Sequence, residues 1–117
     1  MHDQGLPSRV TILGCGQMGL VCAGMLVTRG RATPVPLVTM WGHDPAEVAE
    51  LAQLRRSGRL PEYELDPAVR VAINDREALS GAELVVSAVP AQHTRSAWER
   101  LRSHVPVGAP VVSVAKG

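Results

Sequence analysis

An α/β fold, with one parallel sheet covered by helices on both faces, is the class this sequence predicts, on three observations. Strand-like β-branched runs alternate with helix-like segments along the chain, and the strands read as nearly continuous apolar runs. The first of those strands runs straight into a glycine-rich turn that opens the first helix. A chain of 117 residues is then a single domain, long enough to bury a core but short for a complete two-substrate enzyme.

The elements follow in order. Arg9 to Leu13 (RVTIL) is a β-branched run that ends in glycines, hence a first buried strand. Gln17 to Thr28 repeats apolar residues at Met18, Val21, Cys22, Met25 and Leu26, a helical recurrence closed by Gly30. Arg31 to Pro36 is a loop, and Leu37 to Trp41 a second strand. In Asp44-Pro45-Ala46-Glu47, the Asp44 carboxylate can accept from first-turn amides. Pro45 needs no amide hydrogen there, and Glu47 can reach back. The helix so started is expected to run to about Ser57, with Gly58 as its stop. Leu60 to Pro67 is a polar, proline-bounded loop, followed by a third strand over Val69 to Ile73 and a short helix over Asp75 to Leu79. Leu84 to Val89 is a fourth strand halted by Pro90, and Thr94 to His104 an amphipathic helix with Ala97, Trp98, Leu101 and Val105 on one face. Val111 to Val114 is a fifth strand.

Composition narrows the function. There is no Phe, and Trp41, Trp98 and Tyr63 supply the only aromatic rings other than histidine, so the core is aliphatic and no base-stacking platform for nucleic acid is available. A formal net charge of +1 gives no electrostatic reason to expect nucleic acid or an anionic membrane as partner. Met1 to Ser8 lack the apolar stretch of a signal peptide, and no run approaches transmembrane length. Cys15 and Cys22 form no Cys-x-x-Cys or Cys/His cluster, so they read as small apolar residues of a reduced cytoplasmic protein, and no metal is expected.

Gly14-Cys15-Gly16-Gln17-Met18-Gly19 fits Gly-x-Gly-x-x-Gly. Alone the pattern is weak; after a strand and at the start of a helix it is the dinucleotide fingerprint of a Rossmann-type, doubly wound sheet. Gly14 allows the tight turn, Gly16 lets backbone approach a pyrophosphate, and Gly19 lets helix and strand pack closely. The first helical amides and the helix dipole then hold phosphate oxygens. NAD-selective units place Asp or Glu at the end of the second strand. Here that end reads Met40-Trp41-Gly42-His43-Asp44, and Asp44 is better explained as the helix cap. Without a carboxylate to repel a 2′-phosphate, and with His43 able to donate to one, NADP is permitted alongside NAD.

Several widely spaced pieces together resemble one family, the bacterial-type NAD(P)-dependent glycerol-3-phosphate dehydrogenases. They are the glycine loop, Trp41-Gly42-His43-Asp44-Pro45, Leu60-Pro61, Asn74-Asp75, Ala88-Val89-Pro90 and Ala115-Lys116-Gly117, and they hold their order from about Arg9 onward. The resemblance implies that Gln17 and Met18 lie beside the dinucleotide and His43 by the adenosine ribose. It also implies that Val89 and Pro90 lie along the nicotinamide side, and that Lys116 contacts both cofactor and substrate. The family usually has Ser or Asn followed by an aromatic where Gln17 and Met18 stand, so packing near the pyrophosphate is expected to differ. The Arg31 to Pro36 loop also looks several residues longer than usual.

What the resemblance implies for activity is hydride transfer between the nicotinamide and C2 of glycerol 3-phosphate or dihydroxyacetone phosphate, as a step toward glycerophospholipid precursors. The family's catalytic lysine and most of its substrate-phosphate site belong to a C-terminal helical domain absent from residues 1–117. No catalytic residue is therefore assigned here, and the chain alone is expected to be inactive or nearly so. A homodimer is compatible with the full-length parent. Two alternatives stay open: a sibling oxidoreductase such as a ketopantoate reductase or 3-hydroxyacid dehydrogenase, and a non-enzymatic dinucleotide-binding module.

Overall fold

Residues 8–29, 36–58 and 60–114 are described in the computed structural model. Gly30 as a helix stop, most of the Arg31 to Pro36 loop, and the closing Ala115-Lys116-Gly117 lie outside the described residues. Five strands, β1 (Arg9–Leu13), β2 (Leu37–Trp41), β3 (Arg70–Val71), β4 (Leu84–Ser87) and β5 (Val111–Ser113), form one sheet in the order β3-β2-β1-β4-β5, every neighbouring pair parallel. Helices α1 (Gln17–Arg29), α2 (Pro45–Leu54), α3 (Asp75–Leu79) and α4 (Ala91–Leu101) alternate with the strands, as the periodicities predict.

Alternation along each strand divides the core in two. Val10 and Ile12 of β1, Val38 and Met40 of β2, and Val86 of β4 pack with Leu20, Ala23 and Val27 of α1 and Val48 and Leu51 of α2. Leu13, Trp41 and Val85 project to the other face, against Ala78 and Leu79 of α3 and Ala97 and Leu101 of α4. The helices that follow β1 and β2 thus cover one face and those that follow β3 and β4 the other, which is the doubly wound arrangement. Winding reverses at β1, which has β2 on one side and β4 on the other. Such a reversal opens a crevice at the carboxyl ends of the strands, where open α/β sheets bind ligands. Burying side chains the size of Leu20, Leu51, Leu79 and Leu101 stabilises each face by about 1.5–3 kcal/mol per residue.

Several boundaries differ from those the sequence suggests, each for a local reason. The face of α1 turned to the sheet is the one bearing Gly19, Leu20, Ala23 and Val27, while Met18, Val21 and Met25 are 41, 42 and 60 % exposed. The close approach that Gly19 permits draws its face inward, ahead of the bulkier methionines. Helix α2 ends at Leu54 and not near Ser57, because Arg55 adopts a left-handed conformation (φ 61°) with its amide donating to the Leu51 carbonyl. That conformation costs a non-glycine residue about 1–2 kcal/mol. It is offset by the Arg55 guanidinium, which donates to the carbonyls of Asp66 (2.8 Å) and Val69 (2.6 Å) and ties the helix end to the following loop. Strand β3 shrinks to two residues since it is an edge strand; Ile73, expected within it, is 79 % exposed. Strand β4 pairs only to Ser87, although Val89 beyond it stays buried. Helix α4 starts at Ala91 instead of Thr94, its first turn gathered on the Pro90 carbonyl, which accepts from the His93 amide (2.9 Å) and the Thr94 hydroxyl (3.2 Å). It ends at Leu101 and tightens into a 3-10 turn over Arg102–His104.

The start of α2 is as the sequence reads: Asp44 is extended and its Oδ1 accepts from the Ala46 amide at 3.0 Å, with Pro45 opening the helix. Asp44→Ala is expected to lower stability by about 1 kcal/mol in urea unfolding, and Asp44→Asn to restore most of it. Equal stability of Asp44→Ala and wild type would remove this cap from the account of why α2 starts there.

Candidate functional site

The glycine loop lies at the carboxyl end of β1, at the reversal of winding. Its entry is held by the Gly14 amide, which donates to the Trp41 carbonyl at the end of β2 (2.6 Å). Gly14 has φ +121°, and a Cβ there would stand 2.9 Å from the Ala88 carbonyl oxygen, so turn geometry and the neighbouring strand end both exclude a side chain. A Cβ on Gly19 would collide with the Gly14 carbonyl oxygen, so helix and turn are in direct backbone contact. These are the roles that the motif predicts for its first and third glycines.

The middle of the loop is suited to an anion. The first i to i−4 bond of α1 runs from the Leu20 amide to the Gly16 carbonyl (3.0 Å), which leaves the Gln17, Met18 and Gly19 amides without intrahelical acceptors. No acidic residue lies in that first turn to repel a phosphate. Gln17 and Met18 are exposed beside it, and Cys15 turns the other way into the core. A diphosphate therefore fits the loop in charge and in backbone access.

His43 is exposed just past β2, and its ring stacks on that of His93 in the first turn of α4, with centroids 4.8 Å apart and planes at 29°. Sequence reasoning singled out His43 and missed His93, since nothing in a linear pattern signals that the ends of β2 and β4 approach across β1. Pro90 is exposed at the start of α4, whereas the Val89 side chain is 1 % exposed and belongs to the core around Trp41 and Leu101. Val89 can thus face a ligand only with its backbone. Lys116 lies outside the described residues.

A part-buried polar link fixes the β2 end from which His43 projects. The Trp41 indole N–H donates to Asp75 Oδ1 (2.8 Å), and Arg100 of α4 donates through Nε to Oδ2 (2.6 Å) and through Nη2 to Oδ1 (2.9 Å). The Arg100 guanidinium also lies 5.3 Å from the Trp41 ring centroid, a cation–π contact. Burial pushes the Asp75 carboxyl upward, but hydrogen bonds from Arg100 and Trp41, with the charges of Arg100 and His104, outweigh it and hold the group below the usual carboxylate range. Elsewhere, burial pushes the Cys22 thiol up. Among the described residues, no group of three or more His, Cys, Asp or Glu side chains could hold a metal ion, and no helix is long and apolar enough to cross a membrane.

Comparison with known proteins bears on this geometry. Residues 9–117 match the family model described as NAD-dependent glycerol-3-phosphate dehydrogenase N-terminus. The glycerol-3-phosphate dehydrogenase (NAD(P)+) of Anaeromyxobacter dehalogenans is 38% identical over 110 residues, which are 93% of this chain and 32% of that protein. This chain thus spans about a third of the length of the curated relatives it matches. Among solved structures, the glycerol-3-phosphate dehydrogenase of Coxiella burnetii shares the fold with a TM-score of 0.80 at 18% identity, covering 94% of this chain and 33% of that one. A ketopantoate reductase of Ralstonia eutropha superposes with a TM-score of 0.69 at 25% identity, covering 93% and 34%.

Proposed function

This chain belongs to the NAD-dependent glycerol-3-phosphate dehydrogenase N-terminal family, and from that premise we propose that it is the part of such an enzyme that binds NAD or NADP. The observation that carries the proposal is the Gly14 to Gly19 turn, which offers the unpaired amides of Gln17, Met18 and Gly19 at the reversal of winding. In this reading those amides hold the pyrophosphate, with Gly16 giving it backbone access. His43, with His93 against it, takes the adenosine ribose and any 2′-phosphate. The backbone of Val89 and the exposed ring of Pro90 border the nicotinamide.

The cofactor supplies the hydride chemistry, and the residues named here bind and orient. The substrate pair is sn-glycerol 3-phosphate and dihydroxyacetone phosphate, with Lys116 bridging cofactor and substrate. No acidic residue lies in the first turn of α1, and the sequence has a single lysine, Lys116. We assign proton exchange with the substrate alcohol, and most of the substrate-phosphate contacts, to a helical domain within the remaining length of the relatives. Cys15 and Cys22 form no disulfide among the described residues, which suits the reducing cytoplasmic compartment we assign.

Cofactor choice tests the His43 assignment. Calorimetric titration of NADPH and NADH into wild type and His43→Asp is expected to show the NADPH-to-NADH affinity ratio falling about 10–100-fold in the variant. The donated hydrogen bond to the 2′-phosphate, worth about 1.5–3 kcal/mol, is replaced by carboxylate repulsion. His93→Ala is expected to weaken both cofactors without a comparable change of ratio. An unchanged ratio in His43→Asp would remove His43 from the site.

A further inference from the structure

Away from the glycine loop, toward the amino ends of β1 and β2, the sheet face under α3 is incompletely covered. Register places Thr11 opposite Thr39 and Thr39 opposite Arg70. Strand alternation sends Arg9 to the same face as Thr11, so two guanidiniums and two hydroxyls share one surface. Helix α3 has only five residues, and beside it a cleft of about 140 Å³ remains, lined by Arg9, Thr11, Thr39, Arg70, Glu77 and Ser80 among others. The Arg9 guanidinium lies across Gly81 at the cleft's edge.

Hydrogen bonding in the cleft is unfinished. The Thr11 hydroxyl donates to the Ala78 carbonyl at 2.6 Å. Thr39 is 8 % exposed, and among the described residues its hydroxyl has no hydrogen-bond partner. Among the same residues, neither the Arg9 nor the Arg70 guanidinium has a hydrogen-bond or ion-pair partner. Glu77 supplies one carboxylate against these two cations, and it too forms no ion pair among the described residues. Among the described residues no side-chain polar atom sealed from solvent lacks a partner, so the Thr39 hydroxyl opens onto the cleft, where a ligand can reach it.

We propose that this cleft binds a tetrahedral phosphoryl dianion, either inorganic phosphate or the phosphate of a monoester. A water occupies roughly 30 Å³ of liquid, so the cleft offers space on the order of four or five waters, enough for one phosphate group. The anion would accept from Arg9 on one side, Arg70 on the other, and the Thr39 hydroxyl beneath, and charge-assisted bonds from arginine are the strong kind. The site faces the opposite end of the sheet from the glycine loop and does not depend on the dinucleotide reading.

The test is a titration of the ¹⁵N-labelled protein with inorganic phosphate at constant ionic strength, followed through backbone amide shifts, with methyl phosphate as a second arm. Saturable shifts are expected at Arg9, Arg70, Ser80 and Gly81, with affinity about tenfold weaker in Arg9→Gln and in Arg70→Gln. Thr39→Val, which keeps the side-chain shape, is expected to remain folded and also to bind more weakly. Equal affinity for the two ligands would identify the dianion itself as what is recognised, and tighter methyl phosphate would assign the cleft to monoesters. Shifts confined to the Gly14 to Gly19 amides, or unaltered affinity in both arginine variants, would overturn the proposal.

Discussion

Trp41→Ala is expected to destabilise the domain by about 3–5 kcal/mol, a large part of the roughly 5–15 kcal/mol by which domains are stable. Trp41 is 1 % exposed within the core under α3 and α4, so its removal leaves a cavity lined by Leu13, Leu79 and Val89. It also strips the Asp75 carboxylate of a donor and Arg100 of its aromatic partner. Urea unfolding followed by circular dichroism measures the loss. Trp41→Phe keeps most of the packing but lacks the indole N–H, and should cost about 1–3 kcal/mol. A loss below 1 kcal/mol in Trp41→Ala would show that the link among Trp41, Asp75 and Arg100 does not hold β2 to α3 and α4.

The same link gives a pH dependence whose sign follows from Asp75. Its carboxyl is held below the ordinary carboxylate range in the folded protein, by Arg100 and Trp41 against the opposing effect of burial. A group depressed on folding adds stability above its unfolded pKa, and that stability disappears as pH falls through the folded value. Arg100→Gln removes the bidentate donor and the charge. Its acid unfolding is therefore expected to begin at higher pH than that of wild type, with the difference between the two proteins shrinking at the acid end.

The second large effect concerns the glycine loop. Gly16→Val is expected to leave the sheet folded and to weaken NADPH and NADH binding at least about 100-fold, because backbone amides must approach the pyrophosphate closely. Gly19→Val should lose both binding and stability, since its side chain would meet the Gly14 carbonyl. Calorimetry reports the affinities and thermal melts the folding. Wild-type affinity in a folded Gly16→Val protein would place the cofactor elsewhere.

Much of this was legible along the chain because the signals are local. Strands and helices declare themselves by the two-residue and 3.6-residue spacing of apolar side chains. The cap at Asp44 and the fingerprint of Gly14, Gly16 and Gly19 each lie within six residues, so backbone geometry there depends on near neighbours. From these alone follow the α/β class, the alternation of elements and the position of the candidate dinucleotide loop. Arg55 was not legible as a helix stop, because its strained conformation is stabilised by carbonyls of the later loop, Asp66 and Val69. The buried face of α1 was not legible either, since apolar residues lie all around that helix and its contacts with Gly14 and the sheet set which side turns inward.

Residues a few positions apart settle which segments are strands, which are helices, and where a phosphate-binding turn could form, so these features are read directly along the chain. The partnerships come from long-range packing: His43 with His93, Trp41 with Asp75 and Arg100, and the convergence of Arg9, Thr39 and Arg70 on one cleft. The indole and carboxylate are 34 positions apart, and the carboxylate and guanidinium 25. No spacing rule links them, because such pairs meet through strand order and register, which the packing of the whole sheet settles.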